Sequence, residues 1–551
     1  MRKYRGNPWA VLIVVSLGFF MTLLDLTIVN IAIPDMITQL HASLDDALWV
    51  INAYALVLSV LVITSGRLGD LFGQRRLFNI GIVIFTVASA ACGLSPSPGW
   101  LIAFRAVQGL GAAVLMPQTL AILTMVFPTE RRGAAFGVWG AVAGVATIAG
   151  PTLGGLLVTA FDWRWIFYVN LPIGVVVLAL SAAIVPDLRT GRKHRLDIPG
   201  VILASLALVA ICYGLVEGQR YSWGTISGFL SIPLILAAGG ALLAVFLFVQ
   251  ARTQDREPLV PFSLFKDRNF TLINWVSATV AIGMMGIFLP LTIYFQSVLG
   301  FTALKAGLTM APASLVSMFV APVAGRLTDR IGGKFILMTG LFLFAGGMAW
   351  TIGLATPTSQ WYDFLPALAI AGVGIGCVFA PMTTVAMRDV APQMAGAASG
   401  MLNTVRQVGG VIGTAAIGAL LQSQLSSALT AEAIHRSAAL PPGARAGFVH
   451  GFAQAARSGL QVGAGQSGSK LPPGTPPGLA AQLQRISHEV FTQGFVNALH
   501  PTIVMPIAVL VAGALSCLFL RGGPVRPAPP AAPATTQEEQ AAPAAPAAPA
   551  A

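Results

Sequence analysis

The chain has 551 residues, of which 56% are hydrophobic and only 9% charged, with a formal charge of +12. An ordinary soluble domain carries roughly a quarter charged residues, so a water-soluble globule is excluded. The apolar residues gather in runs of about twenty, the length at which an α-helix crosses about 30 Å of hydrocarbon; barrel strands would instead alternate polar and apolar residues.

In chain order these runs predict fourteen spanning helices: 10–33, 47–66, 78–96, 100–126, 134–158, 165–185, 199–216, 229–250, 271–297, 304–325, 335–354, 364–386, 397–421 and 499–520. The first run is too long for the apolar core of a secretory signal and lacks a small-residue cleavage site, so it is expected to stay as a spanner. An even number puts both termini on one side. Arg67, Arg75, Arg76, Arg131, Arg132, Arg326, Arg330 and Lys334 all fall in connections on that side, whereas the short opposite loops hold only Arg164, Arg220 and Lys305. Basic residues mark the cytoplasmic face, so both termini are expected there. The charge is thereby explained by topology; it is spread over many loops and offers nucleic acid no single patch.

Two segments stand outside the pattern. Residues 422–498 read as a long external loop, in which Gly478–Val490 has helical character but nothing is apolar enough to span, and 524–551 is a Pro/Ala-rich tail of disordered or polyproline type. Cys92, Cys212, Cys377 and Cys517 sit in apolar runs without paired spacing and read as small buried hydrophobes. The histidines share no metal-ligand pattern, and no nucleotide loop or nucleophile–base constellation occurs. Neither a metal, a cofactor nor an enzyme activity is expected.

One motif occurs twice with identical spacing. Gly66-Arg67-Leu68-Gly69-Asp70-Leu71-Phe72-Gly73-Gln74-Arg75 follows span 2, and Gly325-Arg326-Leu327-Thr328-Asp329-Arg330-Ile331-Gly332-Gly333-Lys334 follows span 10. If spans 7 and 8 are an insertion, each copy lies after the second helix of a six-helix half. The plan is then 6+2+6 in an all-α membrane protein: 1–185, an inserted pair over 199–250, and 271–520. As short loops between spanners, the copies have glycines for tight turns and an Asp able to accept from helix N-terminal amides or pair with an Arg, so they suit a gate between the halves.

These loops resemble the signature loop of the major facilitator superfamily. Leu24-Asp25-Leu26-Thr27-Ile28-Val29-Asn30-Ile31-Ala32-Ile33-Pro34 resembles the first-helix motif of its drug:proton antiporters, and Arg105-Ala106-Val107-Gln108-Gly109-Leu110-Gly111 their fourth-helix motif. Gly140, Gly144, Gly150-Pro151 and Gly154-Gly155 resemble the fifth-helix antiporter motif. Trp163 to Pro172 and Arg406-Gln407-Val408-Gly409-Gly410 are similar to segments of the fourteen-spanner multidrug group. Leu71 and Gln74 stand where the family often has basic residues. The resemblance implies a major-facilitator fold, a bacterial inner-membrane location and proton-driven export of small amphiphilic molecules, multidrug or antibiotic. The competing expectation is a permease for a specific metabolite on the same fold.

A charge near mid-membrane costs about 2.5–3.5 kcal/mol, so it needs a reason to remain. Asp25 in span 1, Arg105 in span 4 and Arg406 in span 13 are the clear cases. Asp25 is able to trade a proton or meet a cationic substrate; alternatively it is frozen in an ion pair. Arg105 either tunes that acid, as the resemblance implies, or anchors backbone carbonyls, and Arg406 beside packing glycines reads first as structural. Thr22 shares the helical face of Asp25, and with Tyr54, Phe288 and Met382 is a candidate for lining an apolar cavity. A single intramembrane carboxylate favours a monovalent cationic or neutral amphiphile. The expected partners are that substrate, protons and the lipid bilayer, for a protein working as a monomer.

Overall fold

The computed structural model describes residues 7–42, 44–187, 197–218, 221, 223–256, 258–391, 394–457 and 477–521. A first group of helices comprises α1 (Pro8–Leu40), α2 (Leu44–Phe72), α3 (Gln74–Gly93), α4 (Pro98–Val126), α5 (Arg132–Ala160), the short α6 (Trp165–Tyr168) and α7 (Asn170–Ile184). Next come α8 (Ile198–Glu217) and α9 (Ile232–Arg252), joined through a small antiparallel hairpin of β1 (Thr225–Ser227) and β2 (Leu230–Ser231). After the single turn α10 (Ser263–Lys266) follow α11 (Arg268–Ile293), α12 (Ala303–Ile331), α13 (Lys334–Gly353), α14 (Leu365–Met387), α15 (Ala395–Ser437), α16 (Pro442–Arg457) and α17 (Pro477–Ser516).

Among the described residues thirteen helical stretches are long and apolar enough to cross a membrane, and the remaining expected span coincides with α5, a continuous helix of 29 residues. In hydrocarbon every backbone amide must be satisfied within its own segment, which is why the apolar runs are helical throughout. Helix starts are set locally. Asp267 accepts from the Asn269 and Phe270 amides at 3.1 and 3.0 Å to open α11, and Thr302 accepts from the Lys305 amide at 3.2 Å to open α12.

Two expectations are corrected. The repeated motif is not a loop: α2 runs to Phe72 and α12 to Ile331, and each copy turns on one glycine, Gly73 with φ 93° and Gly332 with φ 89°, before the next helix begins. A left-handed glycine reverses the chain in so few residues that no longer loop is needed. The stretch 422–498 is also largely helical where described, because α15 continues to Ser437 and α17 begins at Pro477. Leu421, Leu425, Leu429 and Ala433 recur every fourth residue and are buried, and Gly494 of α17 lies against the Leu429 side chain. Arg436 ties the two helices together by pairing with Glu432 and with Glu489. That is an amphipathic pattern, which a search for uniformly apolar spans passes over. Residues 458–476 and the tail 524–551 lie outside the described residues.

The two groups meet along two seams. In one, α15 packs on α2 and α4; in the other, α5 packs on α12 and α14. Both copies of the motif lie at the same end of these seams, called here the repeat end. Among the described residues the inserted helices pack on the first seam, where Ile63 of α2 is buried with Ala204, Phe246, Leu259 and Val260, and Met401 of α15 packs against them.

Candidate functional site

Asp25 lies on α1, fully buried, and both its carboxylate oxygens are engaged. Arg105 of α4 donates from Nη1 to Oδ2 at 2.5 Å, Gln108 from Nε2 to Oδ1 at 2.9 Å, and Asn170 of α7 from Nδ2 to Oδ1 at 3.2 Å. Arg105 is held in turn: Nε donates to the Val50 carbonyl at 2.9 Å, Nη1 also reaches Gln108 Oε1 at 2.8 Å, and the guanidinium lies 4.4 Å over the Tyr54 ring. Asn170 donates as well to Ser89 Oγ at 3.1 Å, while its own Oδ1 is buried without a partner. A buried charge is tolerated when paired and hydrogen-bonded; here α4 and α7 supply the partners of Asp25, and α2 and α3 hold Arg105 and Asn170 in turn. Of the two readings open for Asp25, the ion pair with Arg105 is what the structure contains. Tyr54 and Thr22 border it, the Tyr54 hydroxyl donating to the Thr22 carbonyl at 3.4 Å.

The repeated motif makes a second, reciprocal construction. Asp70 at the end of α2 accepts from the Gly396 and Ala397 amides, both at 2.9 Å, at the N-terminus of α15. Asp329 at the end of α12 accepts from the Gly133 and Ala134 amides at 2.8 and 3.0 Å, at the N-terminus of α5. Each half therefore caps a helix of the other with a carboxylate, where orphan amides and the helix dipole favour negative charge. Glycines make the approach possible. A Cβ on Gly66 would strike the Gly396 carbonyl, and one on Gly325 the Gly133 carbonyl. The last base of each copy acts within its own half: Arg75 donates to the Ala182 carbonyl and Lys334 to the Leu518 carbonyl, each at 2.7 Å.

The glycines of α5 divide between two neighbours. A Cβ on Gly144 would stand 3.0 Å from the Ser314 carbonyl of α12, whereas one on Gly150 would collide with the Thr27 hydroxyl of α1, two residues from Asp25. Gly154 is buried and Gly155 faces open space; the side chain of Pro151 lies outside the described residues. Arg406 is half-buried on α15 and donates to Asn403 Oδ1 at 2.6 Å. Phe288 stacks on Phe344 of α13 and Met382 is fully enclosed in the core, so neither is brought to Asp25. Sequence reasoning passed over Gln108, Asn170 and Ser89 as site residues. The signal was present, since Gln108 stands three residues from Arg105 on one helical face and Asn170 is a lone amide in an apolar run. Gly396, Ala397, Gly133 and Ala134 contribute backbone amides, which leave no mark in side-chain identity.

The family model described as Major Facilitator Superfamily matches residues 15–414. The multidrug resistance protein Stp of Mycobacterium tuberculosis is 36% identical over 419 residues, 76% of this chain and 76% of the relative. The tetracenomycin C resistance and export protein of Streptomyces glaucescens is 33% identical over 538 residues, 95% of this chain and 94% of the relative. Among solved structures, the human organic anion transporter MFSD10 superposes with a TM-score of 0.54 at 13% identity, over 92% of this chain and 99% of that one, a likeness of fold.

Proposed function

The chain belongs to the Major Facilitator Superfamily, and we propose that it is a proton-driven antiporter exporting small amphiphilic molecules, drugs and antibiotics among them, across the bacterial inner membrane. The resistance and export described for its relatives supports the direction. The observation that carries the coupling is the buried Asp25–Arg105 pair within its Gln108 and Asn170 amides. The positive-inside pattern makes the repeat end cytoplasmic, with both termini on that side. The two carboxylate caps then close the cytoplasmic face.

In this cycle a proton arriving from outside neutralises Asp25 and releases Arg105 from its counter-charge. The rearranged pair favours opening of the two caps, and the proton leaves to the cytoplasm as substrate enters. The driving force is about 2.3 kcal/mol per charge per 100 mV, with about 1.4 kcal/mol per pH unit added. With both Asp25 oxygens engaged inside the protein, the expectation of a monovalent cationic substrate loses the open acid on which it rested. A neutral amphiphile remains compatible.

Everted vesicles test the proposal: energisation should drive substrate accumulation, and adding substrate should release protons from the lumen. Asp25→Asn should abolish that proton movement. It should also lower membrane abundance, because an uncompensated buried Arg105 costs about 3–5 kcal/mol. Removing both charges, in Asp25→Asn with Arg105→Gln, should restore abundance without restoring transport. A double variant that still moves protons on substrate addition would exclude Asp25 as the carrier.

A further inference from the structure

Among the described residues three charged side chains lie deep in the spans, and two of them, Asp25 and Arg105, cancel each other. The third, Arg406, has no carboxylate within ion-pair distance among the described residues; its one recorded partner is the neutral amide of Asn403. It stands eleven residues into α15, roughly 16 Å from the repeat end of that helix at 1.5 Å per residue, close to the middle of a hydrocarbon layer about 30 Å thick.

Its neighbours on α15 fix the direction it faces. Ser399 donates to the Pro117 carbonyl of α4 at 2.9 Å, and Gly400 lies against Ile63 of α2, so the face bearing residues 399, 403 and 406 is turned to the first half. Above it, Gly409 packs on Ala278 of α11. Arg406 is only partly buried where Asn403 and Thr404 are closed off, and it lies above the carboxylate cap at the start of α15.

A guanidinium at this depth without a protein counter-ion is costly to keep, and an anionic ligand would offset that cost. We propose that Arg406, oriented by Asn403, is the subsite for an acidic group, a carboxylate or phenolate, on the exported molecule. The planar fork of donors matches two acceptor oxygens, and the engaged Asp25 leaves the interior with one net positive charge to complement. This rests on the export reading, and gives that reading its substrate class: amphiphiles bearing one acidic group.

The test uses the purified full-length protein in lipid nanodiscs and three probes sharing one apolar body: pyrenebutyrate, its neutral methyl ester and pyrenebutyl-trimethylammonium. Binding is read by pyrene fluorescence. The anion should bind roughly tenfold tighter than the ester, and the cation weakest, since truncating one member of a buried charge pair usually costs more than tenfold. Arg406→Gln should erase the anion's advantage and leave the ester unchanged; Arg406→Lys should keep part of it. An anion no tighter than the ester in the unaltered protein would overturn the proposal without any variant. So would an Arg406→Gln protein that keeps the preference, or one that weakens all three probes alike. Export is measured separately in energised vesicles. Failure of charge selection with intact export would sink only this inference, whereas selective binding without energised accumulation would sink the export reading alone.

Discussion

The two seams are built on one plan and finished differently. Each has a glycine crossing and a carboxylate capping a helix of the opposite half. At the α2–α15 seam, Asp70 is almost fully buried and receives a third hydrogen bond, from Gln74 Nε2 at 3.1 Å, and the inserted helices pack over Ile63 and Met401 beside it. At the α5–α12 seam Asp329 is half-buried, the position matching Gln74 is Gly333, which has no side chain to donate, and among the described residues the inserted helices pack instead on α2 and α15. The two crossings are therefore not equivalent. The comparison points to a braced seam that acts as the hinge and a barer seam that yields first.

The glycine crossings are the part common to both, so altering them should have the largest effect and affect both seams alike. A Cβ at Gly66 would collide with the Gly396 carbonyl and press on Gly400 Cα at 3.0 Å; at Gly325 it would collide with the Gly133 carbonyl and press on Gly137 Cα at 3.1 Å. These neighbours are backbone and cannot swing aside. Overpacking of this kind costs about 1–3 kcal/mol, so Gly66→Ala and Gly325→Ala should each slow transport about tenfold or more, measured as uptake into everted vesicles at matched abundance. Full activity in either variant would show that its seam closes without the crossing.

The carboxylates should separate the seams. Asparagine keeps one acceptor oxygen but turns a donor toward the second backbone amide, and hydrogen bonds to a charged group are worth about 1.5–3 kcal/mol. Asp70→Asn, with three donors converging on a buried group, should cost transport about tenfold, whereas Asp329→Asn should cost a few-fold. Gln74→Ala should bring the braced seam toward the level of the bare one. Equal losses at positions 70 and 329 would remove the asymmetry, and a larger loss at 329 would reverse it.

Much of this is legible in the sequence. Apolar run length dictated the helices, and two motif copies in register dictated the halves. Asp25 and Arg105 stood out because charge is costly in hydrocarbon. Whether they pair was not legible, since the distance between α1 and α4 depends on packing that no local pattern encodes. The partners of Asp70 and Asp329 were hidden for another reason: they are amides at helix starts. Gln74 looked like a departure from the family's basic residue, and its part became visible only when its amide was found on Asp70. The region after residue 421 misled because its apolar residues recur every fourth position and bury against α17, without forming a uniform span.

The smallest effect is expected from the last base of each motif copy, and it tests whether the motif has two separable parts. Arg75 donates to the Ala182 carbonyl in the final turn of α7, and Lys334 to the Leu518 carbonyl in the short turn just after α17, each within its own half. Neither contact crosses a seam. A cation at a helix C-terminus is worth about 0.3–1 kcal/mol, and these partly exposed groups fall at the low end because solvent screens them. Arg75→Ala and Lys334→Ala should therefore lower the thermal midpoint of the purified protein by no more than about 2 °C. Transport should stay within about twofold, because the caps and crossings between the halves are untouched. If Arg75→Ala instead stopped transport as Asp70→Asn is expected to slow it, the base would belong to the gate. The division of the motif into a glycine and carboxylate acting across the seam and a base acting within the half would then fail.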